Sequence, residues 1–558
     1  MHIEDVSNLF SFAGGLGMFL YGMHLMADGI QKTTGDKLKQ LLGILTNNKV
    51  VAVLVGALIT AVIQSSGATT VMVVGFVNAG IMTLGQAVGV IMGANIGTCI
   101  TSWIVSLGQL GEGFKAVSPD LYAPLFIGIG AFLVMFSNKQ GKKLAGEILV
   151  GLGLLFVGLV FMKNSASSYT DLPIFQQAFM LMGNNPLLGI IMGIIVTGLM
   201  QSSSASVGIL QTIAASGGVV TTASAIFISL GSNIGSCFTA ILSSIGAPKN
   251  AKRAAVIHLL FNVIGTLIFG TILFVFFSFN RNFANGSINS VGISIFHTIF
   301  NISNTILLLP FSNLLVKVSK LIVKRHGEEE KDQDETEQLL VHLDDRILET
   351  PTFAVDSAIK EVINTGYVAL DNLNLSIESF LNNDVVNAGK VKEVENIIDK
   401  MVNLVSNYLV KISNLSLNEK QHMVINNMFY TISNIERVGD HAENLAELAM
   451  EKHTHNINFS SKAQEEMIHI CSIARDSFQQ ALLAREEMKE EHVDRVVTLE
   501  DKVDTLEEDL REKHIERLSK NVCDSETGVV FIDALTNLER ISDHSLNIAN
   551  YVKNELIF

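Results

Sequence analysis

Long apolar runs separated by short polar stretches fill the first 322 residues of the chain. A helix needs about 20 apolar residues to cross the hydrocarbon of a lipid bilayer. Seven runs have roughly this length, and they predict membrane spans at about 6–30, 82–107, 120–137, 143–162, 221–245, 253–280 and 290–322. After about residue 345, apolar positions recur three and four apart among charged ones, which is typical of amphipathic helices. The pattern predicts an all-α, polytopic membrane protein followed by a soluble helical domain.

Two further apolar regions, about 49–80 and 186–218, are each interrupted in the middle by a polar stretch. The first stretch is Gln64-Ser-Ser-Gly-Ala-Thr-Thr70, and the second is Gln201-Ser-Ser-Ser-Ala-Ser206. Backbone freed from helical hydrogen bonds is tolerated at membrane depth only when it is buried in protein or lines a wet cavity. Each region is therefore predicted to be a re-entrant helical hairpin, which turns at Gln-Ser-Ser and leaves the membrane on the side it entered.

The two broken regions belong to an internal repeat. MGANIGTCIT at 92–101 resembles LGSNIGSCFT at 230–239 at an offset of 138, and the Gln-Ser-Ser stretches lie 137 residues apart. The predicted repeats cover about 8–137 and 143–280, and a final helix, about 290–322, follows them. Hairpins that enter from opposite faces make the repeats inverted, a common plan of secondary transporters with a site near the midplane. The breaks therefore predict where a solute binds.

Charge divides the chain into two halves. Residues 1–320 hold 15 Lys and Arg against 8 Asp and Glu, whereas the remainder carries a net charge of −22. The stretch KRHGEEEKDQDETEQ at 324–338 joins the halves. We expect a transmembrane domain over 1–322, a charged linker over 323–344 and an acidic helical domain over 345–558.

Basic residues gather in four short segments of the membrane half, and such segments favour the cytoplasmic side. They are Lys32, Lys37, Lys39 and Lys49; Lys139, Lys142 and Lys143; Lys249, Lys252 and Arg253; and Lys317, Lys320, Lys324 and Arg325. All four fall on one side if both broken regions are re-entrant. The N-terminus is then outside, the first hairpin enters from the cytoplasm, the second enters from outside, and the acidic domain is cytoplasmic. Glu4 and Asp5 replace the basic start of a cleavable signal, so the first apolar segment is expected to remain as a helix.

The polar breaks carry Gln, Ser and Thr, which offer donors and acceptors without a permanent charge. A half-helix that begins just after each break points its N–H groups and positive dipole end at the centre, which suits an anion. Hydroxyl and unwound carbonyl oxygens suit a hard cation such as sodium. Moving a dianion inward against an inside-negative potential costs about 2.3 kcal/mol per charge per 100 mV, so uptake requires co-transported cations. The residues predict a site for an anion and cations together.

Each Gln-Ser-Ser stretch is followed by a second element, Asn95-Ile-Gly-Thr98 or Asn233-Ile-Gly-Ser236. This pairing resembles the bacterial and animal type II sodium/phosphate cotransporters, over roughly residues 8–322. The resemblance implies a sodium-coupled importer of inorganic phosphate in the inner membrane of a bacterial cell. It also implies that Na⁺ is the coupling ion and that the hairpin turns form the substrate site.

Position by position, the resemblance implies substrate or ion contacts from Gln64, Ser65, Ser66, Gln201, Ser202, Ser203 and Ser204. Gly67 stands where the second stretch has Ser204, and Thr69 or Thr70 is expected to supply the missing hydroxyl. By spacing, the predicted lining or cation ligands also include Asn95, Thr98, Asn233 and Ser236. The alternative is that these small polar residues only allow close packing of helices. A structural role is the interpretation for His24, His258, His297, Asp28 and Asn262.

The soluble half repeats as well. NMFYTISNIERVGDHAENLAE at 427–447 matches FIDALTNLERISDHSLNIAN at 531–550, and VENIIDKM at 394–401 matches LEDKVDTL at 499–506. Each repeat of the soluble half holds about three helices, which predicts a pair of three-helix bundles. Over nearly all of 350–556, the repeated Glu-Arg-x-x-Asp-His signature resembles PhoU, the phosphate-uptake regulator. The resemblance implies a domain that senses or regulates transport.

Paired carboxylates in this half have the spacing of metal ligands. Glu436 and Asp440, like Glu539 and Asp543, lie four apart on one helical face, and the spacing recurs at Glu395 and Asp399 and at Glu500 and Asp504. The PhoU resemblance implies a metal at these pairs. Oxygen ligands, with His441 or His544, suit Mg, Mn, Fe or Zn without choosing among them. The alternative is a solvated acidic face with Arg437 and Arg540 as partners.

Other classes of function are excluded or left open by the sequence. It contains no glycine-rich phosphate-binding loop, nucleophile elbow or HExxH motif, so we do not predict an enzyme. The acidic domain argues against nucleic-acid binding. Two alternatives to phosphate import stay open: a phosphate-sensing membrane receptor without net transport, and a sodium-coupled carrier of another anion. The sodium-to-phosphate stoichiometry and the oligomeric state, with a homodimer as one alternative, are open too.

Overall fold

The computed structural model describes residues 3–43, 48–78, 82–109, 119–170, 172–217, 219–245, 247–323, 343–520 and 522–557. Nearly all of these residues are helical, and their only β-structure is an isolated bridge between Thr221 and Ser287. The predicted all-α class is confirmed.

The described residues form two compact units. A membrane unit holds the residues up to 323 together with Asp344–Thr352, and a C-terminal unit holds Leu343 and the residues from Phe353 onward. The segment Asp344–Thr352, which the charge pattern assigned to the linker and the helical domain, therefore groups with the membrane unit. Most of the charged linker, with Lys324 and Arg325, lies outside the described residues.

The membrane unit is built from fifteen α-helices in its described residues. They are α1 (Ile3–Gly43), α2 (Lys49–Ile63), α3 (Ser66–Asn78), α4 (Leu84–Leu107), α5 (Pro119–Phe136), α6 (Gln140–Thr170), α7 (Pro173–Asn184), α8 (Pro186–Met200), α9 (Ser203–Ala215), α10 (Thr222–Gly235), α11 (Cys237–Ser243), α12 (Lys249–Phe279), α13 (Arg281–Asn285), α14 (Ser290–Leu308) and α15 (Ser312–Ile322). Short 3₁₀ helices cover Leu309–Phe311 and Asp345–Glu349.

Six helical stretches of the described chain are long and apolar enough to cross a bilayer. They are Val6–Thr34, Leu84–Leu107, Gln140–Tyr169, Thr222–Ser243, Lys249–Phe279 and Ser290–Ile322. These stretches match six of the seven predicted spans, and the remaining prediction falls on α5, whose apolar part, Leu121–Phe136, is shorter. The protein is therefore a multi-pass membrane protein.

One helix was not predicted from the sequence. Residues Pro173–Asn184 form α7, which bends by 111° into α8. Asn185 ends the first helix and caps the second, because its Oδ1 accepts from the Leu188 N–H at 3.3 Å. Pro186 reinforces the bend, since proline cannot donate a hydrogen bond to the preceding turn.

Each broken region folds as two helices joined at the Gln-Ser break, α2 with α3 and α8 with α9. The first helix of each pair packs along a long neighbour, α2 along α4 and α8 along α10. Glycines bring these backbones into contact: a methyl group on Gly93 would overlap the Val53 carbonyl oxygen, and one on Gly231 would overlap that of Ile190. Small residues at such contacts let helices associate in a bilayer, where apolar burial gives no driving force.

The repeat extends to the helices that pack against α4 and α10. These are α14 and α12, respectively. Asn301 Nδ2 donates to Cys99 Sγ on α4 at 3.5 Å, and Asn262 Nδ2 donates to Cys237 Sγ, at the start of α11 just after α10, at 3.3 Å. Both asparagines end a matching motif that begins with a buried histidine, HLLFN on α12 and HTIFN on α14. α12 and α14 are therefore structural counterparts.

The C-terminal unit contains six α-helices in its described residues. They are α16 (Pro351–Asn382, whose first two residues group with the membrane unit), α17 (Val385–Ser413), α18 (Glu419–Thr454), α19 (Ser461–Glu487), α20 (Glu490–Ser519) and α21 (Ser525–Ile557). The first three pack together, and so do the last three. A buried ion pair between Arg485 Nη2 and Glu555 Oε2, at 2.6 Å, joins α19 to α21. This arrangement agrees with the predicted pair of three-helix bundles.

We expect Gly93→Ala to destabilise the membrane unit, because the added methyl group forces α2 away from α4. Overpacking of this kind costs about 1–3 kcal/mol. Gly128→Ala in α5 is the matched control, since a methyl group there has no neighbour within 4 Å. Thermal unfolding of the detergent-solubilised protein should show a lower midpoint for Gly93→Ala only. Equal midpoints for the two variants would contradict the close contact.

Candidate functional site

The first break is set by the backbone of Gln64. Its φ of 58° and ψ of 17° lie in the left-handed region, which residues other than glycine adopt rarely. Its N–H bonds to the Thr60 carbonyl at 2.7 Å, and its side-chain amide donates to the Ala61 carbonyl. Two of the carbonyls that the end of α2 leaves unpaired are thereby satisfied inside the protein. The chain then restarts as α3 at Ser66.

The second break repeats this backbone. Gln201 has φ 52° and ψ 20°, and Ser202 caps α9 because its Oγ accepts from the Ala205 N–H at 3.2 Å. Ser65 does the same at the first break, where its Oγ accepts from the Ala68 N–H at 3.1 Å. A cap at this position leaves the N–H groups of the first two residues of the helix without an intrahelical acceptor. Each break therefore presents free backbone donors.

A threonine contacts each break. Thr101 Oγ1 donates to Gln64 Oε1 at 3.0 Å, and Thr239 Oγ1 donates to the Gln201 carbonyl at 3.5 Å. Thr239 also faces the first hairpin, because a methyl group on Gly67 would lie 3.5 Å from its Cγ2. The two Gln-Ser-Ser stretches thus meet on either side of Thr239.

Neither threonine is predicted as a site residue from the sequence. Each is the last residue of the repeated ten-residue element, 92–101 or 230–239. The signal was therefore present in the repeat, but spacing along the chain did not show that this residue reaches back to its break.

Small hydroxyl side chains fill the first turns after the breaks. Ser66, Ser203 and Ser204 are buried there, whereas Gln201 is exposed. Neither 60–70 nor 197–206 contains a charged residue. The amino ends of α3 and α9 carry a partial positive charge and free N–H groups, so the arrangement can hold an anion. Hydroxyl and carbonyl oxygens beside these ends can hold small cations.

Thr69 and Thr70 bond to the hairpin that contains them. Thr69 Oγ1 accepts from Thr60 Oγ1 at 3.1 Å and donates to the Ser65 carbonyl at 3.0 Å. Thr70 Oγ1 donates to the Ser66 carbonyl at 2.7 Å. Both hydroxyls lie one helical turn beyond the break. That Thr69 or Thr70 supplies the hydroxyl missing at Gly67 therefore stays a prediction.

The predicted ligands of the Asn-Ile-Gly elements are buried on α4 and at the junction of α10 and α11. Asn95 Nδ2 donates to the Ile91 carbonyl at 2.9 Å, and Asn233 Nδ2 donates to the Ser229 carbonyl at 3.1 Å. Thr98 and Ser236 likewise donate to carbonyls of their own turns. His297 Nε2 lies 3.4 Å from Asn233 Oδ1. A ligand role for these four residues stays a prediction.

The C-terminal unit brings its carboxylates together in two groups. The first acidic cluster is Glu395 and Asp399 of α17 with Glu436 and Asp440 of α18, and the second is Glu500 and Asp504 of α20 with Glu539 and Asp543 of α21. In the second cluster, carboxylate oxygens of Glu500, Asp504 and Asp543 lie within 4.8 Å of one another. The exposed Arg540 guanidinium is 3.7 Å from Asp543 and 3.5 Å from Glu539.

Burial and mutual repulsion raise the pKa of several of these carboxyl groups, Glu395 and Glu500 most clearly. Burial first, and then Asp399, raise the pKa of Glu395 to about 8, and burial with Asp504 raises that of Glu500 to about 7. Glu395 is 4% exposed, and neither of its carboxylate oxygens has a hydrogen-bond partner among the described residues. A bound cation or a proton would neutralise this buried carboxylate. The donor set therefore fits a metal with oxygen ligands.

Paired helix breaks that meet at neutral, donor-rich turns are typical of secondary transporters. The model of the Na⁺/Pi-cotransporter family matches residues 18–164 and 172–302, and the PhoU domain model matches 362–449 and 467–552. The membrane unit therefore belongs to the Na⁺/Pi-cotransporter family, and the C-terminal unit consists of two PhoU domains. Both predicted resemblances are confirmed.

Three similar proteins cover different parts of the chain. "Putative inorganic phosphate export protein YjbB" of Escherichia coli K12 is 24% identical over 438 residues, 78% of this chain and 77% of YjbB. "Uncharacterized protein YqeW" of Bacillus subtilis is 27% identical over 315 residues, 56% of this chain and 98% of YqeW. Human "Sodium-dependent phosphate transport protein 2B" is 32% identical over 111 residues, 20% of this chain and 16% of that protein.

Proposed function

We propose that this protein is a sodium-coupled carrier that imports inorganic phosphate and that the two Gln-Ser-Ser turns form its substrate and ion site. The meeting of both turns at Thr239, in a member of the Na⁺/Pi-cotransporter family, is the observation that carries the proposal. Free N–H groups and serine hydroxyls at the starts of α3 and α9 would donate to phosphate oxygens. Carbonyl and hydroxyl oxygens around them would bind sodium.

Charge balance explains why sodium would accompany phosphate. No charged side chain occurs in either 60–70 or 197–206. A phosphate dianion in a low-dielectric site needs compensating positive charge beyond two helix ends. Bound sodium ions supply that charge, so loading of phosphate and loading of sodium become interdependent.

The relative named for phosphate export makes outward movement a second candidate. An inside-negative potential drives a dianion outward by about 2.3 kcal/mol per charge per 100 mV. Two co-transported sodium ions would cancel this force, and three would reverse it. The same site would therefore import when it is coupled to sodium and export when it is not.

Contacts between the basic segments support a cytoplasmic C-terminal unit. Lys49 Nζ donates to Asn313 Oδ1 at 3.1 Å, Arg253 Nη2 donates to the Val323 carbonyl at 3.4 Å, and Lys32 approaches α6 near its start. These contacts support a common location for the four basic segments at one end of the membrane unit. We assign that end to the cytoplasm because positive charge in short loops favours it.

We further propose that the PhoU domains regulate transport and that their acidic clusters bind divalent or iron-type cations. The unpartnered, buried carboxylate of Glu395 and the converging oxygens of the second cluster support the metal site. Glu436, Asp440, Glu539 and Asp543 would supply ligands together with the carboxylates of the facing helices. A bound cation would cancel the repulsion that raises the pKa values of Glu395 and Glu500.

Labelled phosphate flux in proteoliposomes tests the transport proposal. An inward sodium gradient should drive uptake, and potassium in place of sodium should abolish it. Unlabelled phosphate should compete, whereas sulfate should not. Flux that follows the membrane potential without sodium would support the export candidate. Phosphate binding without flux in any condition would support a receptor.

Ser203→Ala should lower sodium-driven phosphate uptake by at least about tenfold, since a hydrogen bond to a charged ligand is lost. Ser278→Ala is the matched control, because Ser278 lies exposed on α12 and its Oγ donates to the Phe274 carbonyl at 2.8 Å. Both variants should reach normal levels in the membrane. Unchanged uptake by Ser203→Ala would remove this residue from the site.

Purified full-length protein, stripped with chelator, should bind Mn²⁺ more tightly at pH 8 than at pH 6. Protons must leave Glu395 and Glu500, whose raised pKa values are about 8 and 7, before both carboxylates can ligate. Replacing Glu539 by Gln and Asp543 by Asn should lower the bound metal measured by elemental analysis. Glu465→Gln, at an exposed carboxylate of α19, should not. Equal binding by all variants would leave the solvated acidic face as the interpretation.

A further inference from the structure

The segment Asp344–Thr352, here called the strap, is folded onto the membrane unit. Asp344 Oδ1 accepts from the Arg346 N–H at 2.9 Å and starts the 3₁₀ helix, and the Thr350 N–H bonds to the Ile347 carbonyl at 3.0 Å. Ile347 is fully buried. The strap is therefore a defined element that packs against α3.

The strap joins the end of the first hairpin to the opposite repeat. Asn78, the last residue of α3, donates from Nδ2 to Asp344 Oδ2 at 2.7 Å. One turn earlier, a methyl group on Gly75 would lie 3.0 Å from Ile347 Cγ1. On the other side, Arg346 Nη1 donates to the carbonyl of Ser243, the last residue of α11, at 3.4 Å. α3 belongs to the first repeat and α11 to the second.

The second hairpin is held differently at the corresponding place. The offset of 137 residues pairs Gln211 and Thr212 of α9 with Val74 and Gly75 of α3. Gln211 Nε2 donates to hydroxyls on α4 and α14 at 2.9 and 2.8 Å, and Gln109 Nε2 donates to Thr212 Oγ1 at 3.0 Å. Val74 and Gly75 have no polar side-chain groups, so they cannot form such bonds. The first hairpin lacks this hydrogen-bond network, and the strap packs against its end instead.

We propose that the strap restrains the first hairpin and that the PhoU domains set the rate of phosphate flux by tightening or releasing it. Alternating access requires one repeat to move against the other, and the strap connects α3 to α11 across the repeats. It continues directly into α16, the first helix of the C-terminal unit, so a change in that unit can act on it. This inference rests on the proposed transport function.

Asn78→Asp tests the restraint, because a second carboxylate then faces Asp344. In full-length protein in proteoliposomes, initial phosphate flux should rise by about tenfold or more, the population shift that loss of a hydrogen bond to a charged group can give. The double variant Asn78→Asp, Asp344→Asn restores one donor and one carboxylate at the contact, so its flux should return toward that of the unmodified protein. Ile347→Ala should raise flux as well, by removing the apolar contact, and it decides the outcome if Asn78→Asp does not fold.

Hydrogen exchange of residues 49–78 supplies a readout that does not depend on transport. Exchange should be faster in Asn78→Asp and slower again in the double variant, whereas a merely structural defect would not be reversed. Asn250→Ala is the control, because it removes the polar contact with Arg253 in another basic segment without touching the strap or residues 49–78.

The outcomes separate the inference from the transport proposal. Unchanged or reduced flux in folded Asn78→Asp and Ile347→Ala, with normal flux in the unmodified protein, overturns the restraint alone. Absence of flux in every variant overturns phosphate transport, and exchange then decides whether the strap restrains the hairpin. Equal exchange in all variants overturns the restraint, and faster exchange that the double variant reverses supports it.

Discussion

Satisfaction of the backbone at Gln64 and Gln201 is the constraint on which the membrane unit depends. A helix that stops inside a bilayer exposes N–H and carbonyl groups that water cannot reach, and each unpaired group is costly. The left-handed Gln64 pairs two of these carbonyls, and Ser65 and Ser202 pair one N–H at each following helix. The N–H groups that remain need a ligand or water to complete them. The breaks are therefore stable only as parts of a binding site or of a solvated cavity.

Close helix packing gives these turns their positions. Glycines let α2 lie against α4 and α8 lie against α10, with backbone touching backbone. Each break is then close to the repeated ten-residue element, from which Thr101 on α4 or Thr239 on α11 reaches back. A larger residue at Gly93 or Gly231 would displace the whole half-helix, so these distant contacts determine the geometry of the turns.

The two units solve the problem of charge in opposite ways. The membrane breaks carry no charged side chain, so an anion that binds there brings a charge which cations must balance. The PhoU domains gather carboxylates that repel one another, as the raised pKa values of Glu395 and Glu500 record. The neutral breaks would favour joint loading of an anion and a cation, whereas the acidic clusters would favour a cation or a proton. Ionic conditions can therefore act on both units, through different residues.

The sequence alone determined the all-α class, six long spans, both breaks and both sets of repeats, because these depend on local polarity and on period. It could not determine α7, because Asn185 and Pro186 end a helix too short to resemble a span. Thr101 and Thr239 became site neighbours only in the tertiary structure, since they lie 37 and 38 residues from the glutamines that they contact. The packing of Ile347 against Gly75 could not be predicted from the sequence either, because it joins segments separated by the charged linker. Local pattern specifies which residues leave the helices, whereas helix packing decides which of them meet.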